Sequence, residues 1–374
     1  VAINLETNWL ALYKSAMDSV EHQEIVVIGG GISGLAISLA LHRKGIKCLV
    51  LERYEALRCY GAGIIMMTNG WRALDHLGVA DELRKSSIRT FSGHRIMGGK
   101  KITLPLEYFS LITSSKTMML TTKITCRNGE IRCLKREELI RVLSESLPAG
   151  TIRFGCRVVS VDIDVMSQSI IHLEGGRSIV AKLIIGCDGV HSKLCDKIGL
   201  PPMKVTSTSV IRGFTEYTSG HNLPPEFPIH TSKNGQFGYI PISEKSVYWF
   251  ITRIQNPKDS HIVGDKQSIL ESALDFVSEY DEKEIEMVKE TDKSILCITP
   301  NLNLRSPFDL LTCKFRKGTV TIAGDALHAM GPFQAQGGSL SLEDAVTGRR
   351  CGSCSLHCST NRGRINRTSG WKGY

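Results

Sequence analysis

The chain lacks a hydrophobic run long enough to cross a bilayer. Its most apolar stretch, residues 25–41, is interrupted by four glycines and two serines, and it falls short of the roughly 20 residues that a helical span needs. No secretory signal is evident. Aromatic residues are sparse at 6%, and charged residues make up 22% against 42% hydrophobic. That balance excludes fibrous and disordered classes and fits a globular chain with a sizeable core. A regular cysteine framework is also missing: 12 cysteines are scattered over 374 residues, too thinly for a disulfide-stapled secreted scaffold. They suit a reducing compartment, where buried thiols act as small apolar side chains. A cytoplasmic location is expected, with organellar targeting left open.

Acidic residues are absent from 347–374, which carries Arg349, Arg350, Arg362, Arg364, Arg367 and Lys372. The tail supplies most of the net charge of +9. The body is therefore close to neutral, without the basic stripe that a nucleic-acid partner would require. The tail shows no apolar periodicity and reads as disordered or as a shifted reading frame. Its Cys351, Cys354, His357 and Cys358 crowd too closely for a tetrahedral metal site, so no metal is expected. At the other end, Met17-Asp18-Ser19-Val20 reads as a start. Residues 1–16 read equally as upstream sequence or as a short helix.

What is present alternates strand and helix signals. Ile25–Ile28 reads as a buried strand, Gly34–Arg43 as an apolar helix and Lys47–Leu51 as the next strand: one right-handed βαβ unit. Trp71, Leu74 and Leu77 mark a helix, as do Leu139, Leu143 and Leu147. Val158–Ile163 and Ser169–Leu173 look like an antiparallel pair, and Leu183–Ile185 like a buried strand. Val210–Thr215, Gly235–Ile240 and Ser246–Arg253 read as strands of a second sheet. A helix over 268–279, a strand over 319–322 and a helix after Gly337 complete the pattern.

The first βα turn holds Gly29-Gly30-Gly31-Ile32-Ser33-Gly34, a G-x-G-x-x-G in its proper context. Gly29 permits the tight turn, Gly31 lets the backbone approach a pyrophosphate, and Gly34 lets helix and strand pack closely. The helix N-terminus offers free N–H groups to phosphate charge. Glu52 ends the second strand, where a carboxylate accepts hydrogen bonds from both ribose hydroxyls and repels a 2′-phosphate. The dinucleotide is then FAD or NAD rather than NADP.

Three motifs in order make the chain resemble the aromatic-hydroxylase (p-hydroxybenzoate hydroxylase-like) group of FAD-dependent monooxygenases, especially its plant members. They are Gly29–Gly34 with Leu51-Glu52-Arg53; Gly186-Cys187-Asp188-Gly189-Val190-His191-Ser192; and Gly324-Asp325-Ala326-Leu327-His328, continuing to Met330-Gly331-Pro332, Gln336-Gly337-Gly338 and Glu343-Asp344-Ala345. Gly61-Ala62-Gly63-Ile64, Arg136 with Leu139, and Val247-Tyr248-Trp249-Phe250 support them. The resemblance covers about residues 24–346. It implies an α/β fold: a Rossmann-type FAD-binding domain with a parallel sheet, plus a sheet-rich substrate domain. The expected division is an extension over 1–21, the FAD domain over 22–203 with a small sheet insertion near 90–130, the substrate sheet over 204–300, the FAD domain again over 301–346, and the tail.

The resemblance also implies roles. Gly29, Gly31, Ser33, Gly34, Glu52, Arg53, Arg136, Asp188, Gly324, Asp325, Pro332, Gly337 and Gly338 would bind FAD, with NAD(P)H as co-substrate. Asp188 would lie near the pyrophosphate, Asp325 at the ribityl chain, and the helix opened by Gly337-Gly338 at the flavin ring. A small aromatic or lipophilic substrate would be hydroxylated with molecular oxygen through a flavin C4a-hydroperoxide. A silent flavoprotein, or an epoxidase or reductase on the same scaffold, is the alternative. Tyr239, Trp249 and Phe250 are candidate pocket residues. No catalytic acid or base is assigned, His221, His230 and His328 reading as structural or surface residues. The chain departs from the family at Cys195, usually Arg; Ala335, commonly Gly; and Ala329, frequently Pro. It also lacks the helical continuation that family members show beyond Ala345.

Overall fold

A computed structural model describes residues 21–58, 63–97, 100–104, 129–164, 166–332 and 335–347. The N-terminal extension, Gly61-Ala62, the larger part of the insertion near 90–130 and the tail beyond 347 lie outside the described residues.

Val26, Ile28, Leu49, Leu51, Ile184 and Ile322 are apolar and buried, as strands covered on both faces must be. They build an eight-stranded sheet. Its centre is parallel: Glu21–Ile28 lies between Leu49–Leu51 and Ser178–Gly186, with Val320–Ile322 on the far side of the latter. Val158–Asp162 and Ser169–Leu173 form the expected antiparallel pair, joined to Ser178–Gly186. The register aligns the carboxyl ends: Ile28 stands opposite both Leu51 and Gly186, and Gly186 opposite Ile322. The glycine turn, Glu52, Asp188 and Asp325 thus leave the sheet along one edge.

Helices Ile32–Arg43, Thr68–Leu77, Arg136–Glu145 and Gly337–Thr347 share one apolar cluster that includes Leu35, Leu39, Trp71, Leu74, Leu139, Leu143 and Leu342. Leu147 joins that core from just beyond its helix.

A seven-stranded sheet contains Ser92–Met97, Lys100–Leu104, Thr208–Glu216, Glu226–Ser232, Gly235–Pro241, Ser246–Ile254 and Cys297–Thr299. One face is covered by helices Lys266–Val277 and Glu282–Lys289. The first of these starts two residues earlier than its periodicity suggests, because Asp265 accepts from the N–H groups of Gln267 (3.2 Å) and Ser268 (3.3 Å) and caps it there. Strand Glu226–Ser232 was not among the expected strands, and it carries Pro228, a residue that sheets confine to edges, strand starts and bulges. It pairs antiparallel with Gly235–Pro241 from Ile229 onward and parallel with Ser92–Met97 from Glu226, where Pro228 stands opposite His94.

Candidate functional site

The glycine turn is fixed by backbone sterics. Gly29 sits at φ +109°, and a Cβ there would strike the Cys187 carbonyl, so only glycine fits. A Cβ on Gly34 would strike the Gly29 carbonyl oxygen. Gly31 differs: a Cβ there would meet no protein atom within 4 Å. Gly31 is also the N-cap of helix Ile32–Arg43, whose first turn holds no acidic residue. The positive end of that helix dipole is therefore not neutralised by its own sequence.

Glu52 is buried, and its carboxylate accepts from the N–H groups of Gly30 (2.8 Å) and Tyr54 (3.1 Å). Each oxygen keeps a lone pair for a further donor. Arg53 is exposed beside it, its guanidinium 4.9 Å from the Tyr54 ring. Asp188 is half-buried, with Oδ2 accepting from the Lys193 N–H at 3.1 Å. Its Oδ1 is buried without a hydrogen-bond partner. Burial pushes its carboxyl above the ordinary range, opposed by hydrogen bonds from Ser192, Lys193 and Leu194.

Two cavities of about 630 and 460 Å³ meet at Gly31, Arg136, Cys187, Gly189 and His191. The smaller holds Gly29, Glu52, Arg53 and Asp188. The larger holds Ser33, Asp325, Pro332, Gly337 and Gly338. Gly34 and Gly324 line neither; they shape the walls. Gly34 lets the turn close, and Gly324, at φ +63°, packs on Ser33, which a Cβ would meet at 2.7 Å.

Asp325 opens onto the cavity yet is ringed by protein. That desolvation raises its carboxyl, while the charges of His328 and Arg136 lower it. His328 Nε2 pairs with Asp344 Oδ2 at 2.7 Å, both side chains 2% exposed, and the Gly324 N–H donates to the same oxygen at 2.9 Å. This buried pair ties the Asp325 turn to helix Gly337–Thr347. Asp344 stood in a motif but had no role read for it; a carboxylate sixteen positions from a histidine carries no periodic signal.

His221 and His230 lie away from the cavity lining. His221 bridges the Ser243 carbonyl (2.6 Å) and the Leu223 N–H (2.9 Å). His230 lies 3.5 Å from the buried Glu284 carboxylate.

The seven-stranded sheet closes the larger cavity with its uncovered face, through Arg212, Phe227, Ile229, Gln236, Tyr248 and Phe250. Of the three aromatic candidates only Phe250 lines it. Tyr239 and Trp249 point to the opposite face, into the core under the helices, where the Trp249 Nε1–H finds Thr291 Oγ1 at 2.9 Å. Strand alternation separates neighbours 249 and 250 in this way. Tyr248, Arg212 and Gln236 were missed, although the same alternation would have grouped Tyr248 with Phe250.

The departures have structural readings. Cys195 is buried, its thiol donating to the Ala326 carbonyl at 3.0 Å, and the Arg305 guanidinium reaches its sulfur at 3.6 Å. Ala335 sits at φ +50°, a glycine-favouring conformation. Ala329 sits at φ −47°, ψ 125°, a backbone close to that of proline.

A family model described as an FAD binding domain matches residues 22–348. The chain belongs to that family. Monooxygenase 1 of Arabidopsis thaliana is 42% identical over 338 residues, spanning 89% of this chain and 79% of the relative. Monooxygenase 2 of the same plant is 31% identical over 337 residues, spanning 90% and 78%. The fold is shared with Klebsiella pneumoniae HpxO, solved with FAD and uric acid: TM-score 0.70, 20% identity, 87% of this chain and 78% of that one. This is an FAD-dependent monooxygenase of the aromatic-hydroxylase type. The monooxygenase keeps its seven described cysteines as free thiols. Among the described residues no helix is long and apolar enough to cross a membrane, and no group of side chains could hold a metal.

Proposed function

We propose that this monooxygenase takes reducing equivalents from NAD(P)H and inserts one atom of molecular oxygen into a small aromatic or lipophilic substrate. The observation that carries the reading is the pair of joined cavities along the carboxyl ends of the parallel strands. Ligands bind there in open α/β sheets. The open space at Gly31 and the orphaned Asp188 Oδ1 fit a bound group that fills the first and supplies a donor to the second.

In this reading residues 22–203 and 301–346 cradle FAD, and 204–300 covers the substrate. Glu52 and Arg53 hold the adenosine end. Gly29, Gly31, Ser33 and Gly34 present the helix N-terminus to the pyrophosphate, with Asp188 and Arg136 beside it. Gly324 and Asp325 hold the ribityl chain, and Pro332, Gly337 and Gly338 border the ring. When bound, the flavin supplies hydride acceptance and oxygen activation. The chain supplies the setting. The first-turn N–H groups of helix Gly337–Thr347 have no intrahelical acceptors and would stabilise negative charge on a ring bound beside them. Phe227, Ile229, Tyr248 and Phe250 exclude water from the reacting side. No side chain is needed as nucleophile.

The test is to load the protein with FAD, add NADH or NADPH, and screen aromatic compounds under isotopically labelled oxygen. The reading expects one labelled atom in a product. Flavin reduction with no label in any product would leave a reductase or a silent flavoprotein instead.

A further inference from the structure

We infer that Glu284 and His230 share one proton that latches the N-terminal end of helix Glu282–Lys289 onto strand Glu226–Ser232, and that alkaline pH releases this latch behind a wall of the larger cavity. Glu284 stands where its helix should be apolar. With Met287 and Val288 it forms the stripe that the helix buries, and a stripe at that spacing is normally hydrophobic. Of residues 281–286 only Glu284 is buried. Asp281, at the N-cap, makes no capping hydrogen bond with its side chain.

The two ends of the helix are held differently. At the C-terminal end Thr215 Oγ1 donates to the Met287 carbonyl at 2.6 Å, and the Trp249 Nε1–H donates to Thr291 Oγ1 at 2.9 Å. These neutral bonds pin that end to the sheet whatever the pH. At the N-terminal end His230 Nε2 lies 3.5 Å from Glu284 Oε1. Both Glu284 oxygens and His230 Nε2 are buried without a hydrogen bond.

The surrounding charges are few. Exposed Lys283 reaches the same Glu284 oxygen at 3.4 Å from the solvent side. The Tyr280 ring packs 5.3 Å from the His230 ring. Tyr239, on the neighbouring strand, is held protonated by burial and by the charges of Glu284 and Glu226. Burial raises the Glu284 carboxyl, with Lys283 opposing and Asp281 adding to the rise. Burial and the Lys283 charge lower His230, with Asp281 opposing. Both groups therefore favour their neutral forms. A carboxyl O–H donating to the imidazole Nε2 satisfies both with one proton.

A raised carboxyl stabilises the fold below its raised value, and that contribution is lost as pH climbs through it. The lowered imidazole acts in the opposite sense and loses its contribution as pH falls. On the alkaline side hydroxide takes the shared proton, leaving a carboxylate beside a neutral imidazole. A fully buried anion without a donor is costly, so the helix end lifts toward water about its pinned end. His230 follows Ile229 on the strand, and Ile229 and Phe227 line the larger cavity from the other face. Lifting the helix removes the backing from that wall.

The test is amide hydrogen exchange of the full chain with FAD present, read by mass spectrometry and corrected for the base-catalysed intrinsic rate. Protection over 281–286 should fall by about tenfold or more between about pH 7 and about pH 9.5, while 287–291 stays protected. Glu284→Gln is neutral throughout and should hold its protection within about twofold. Glu284→Leu completes the apolar stripe and carries the same expectation should the glutamine variant fail to fold. Parent protection that does not change with pH overturns the inference. So does a fall that extends equally over 287–291, or one that persists in Glu284→Gln or Glu284→Leu.

Discussion

At the residue scale, three positions make distinct predictions. Gly29→Ala forces a side chain into φ +109° against the Cys187 carbonyl, and should destabilise the fold by about 3 kcal/mol or more, seen as a lower melting temperature with or without FAD. Ala335→Gly relieves a residue at φ +50°. It should stabilise by about 0.5–1 kcal/mol, the αL strain outweighing the added freedom of the unfolded chain, measured by denaturant unfolding. Asp188 links stability to pH. Burial raises its folded carboxyl above the unfolded value, so its favourable contribution is present below the ordinary carboxylate range and is lost as pH rises through the raised value. At neutral pH the protein without FAD then carries a partly desolvated anion. Asp188→Asn should raise its melting temperature at neutral pH but not in acid, while weakening FAD binding. An equal gain at both pH values would contradict the assignment.

At the element scale, the turn bearing Asp325 is held by helix Gly337–Thr347 through Asp344, His328 and the Gly324 N–H. Asp344→Ala leaves that N–H and a buried imidazole without their acceptor. The expected loss is about 3–5 kcal/mol, read from thermal melts, with FAD affinity falling because the turn loosens. Asp344→Asn keeps an acceptor and should lose less. The elements also show what the sequence made legible. Apolar runs and periodicity located the Rossmann strand and helix, because burial on both faces leaves a continuous hydrophobic signature at Ile25–Ile28. Alternation located strand Ser246–Ile254 but did not say which face the later helices cover. For that reason Trp249 and Phe250 were grouped together, though one packs under helix Lys266–Val277 and the other lines the cavity. Strand Glu226–Ser232 was not expected; its pairing with Ser92–Met97 is remote in sequence and runs across Pro228. Local pattern carries no information about where a ladder begins.

At the scale of the whole molecule, the site is a consequence of strand order. The glycine turn, Glu52, Asp188 and Asp325 lie far apart along the chain. Parallel pairing with Ile28 opposite Leu51 and Gly186, and Gly186 opposite Ile322, delivers them to one edge. A ligand held there bridges segments from both ends of the chain, so FAD should raise the unfolding free energy by about 2.7 kcal/mol at a hundredfold excess over its dissociation constant. The most direct measurement is FAD titration of the parent protein and of Gly31→Val, with melting of both in the absence of FAD. Gly31 has an extended backbone, φ −81° and ψ −176°, and faces open space. One FAD per chain is expected, with at least a tenfold loss of affinity in Gly31→Val and an unchanged melting temperature without FAD. Full FAD affinity in Gly31→Val, or a parent protein that binds no FAD, would contradict it.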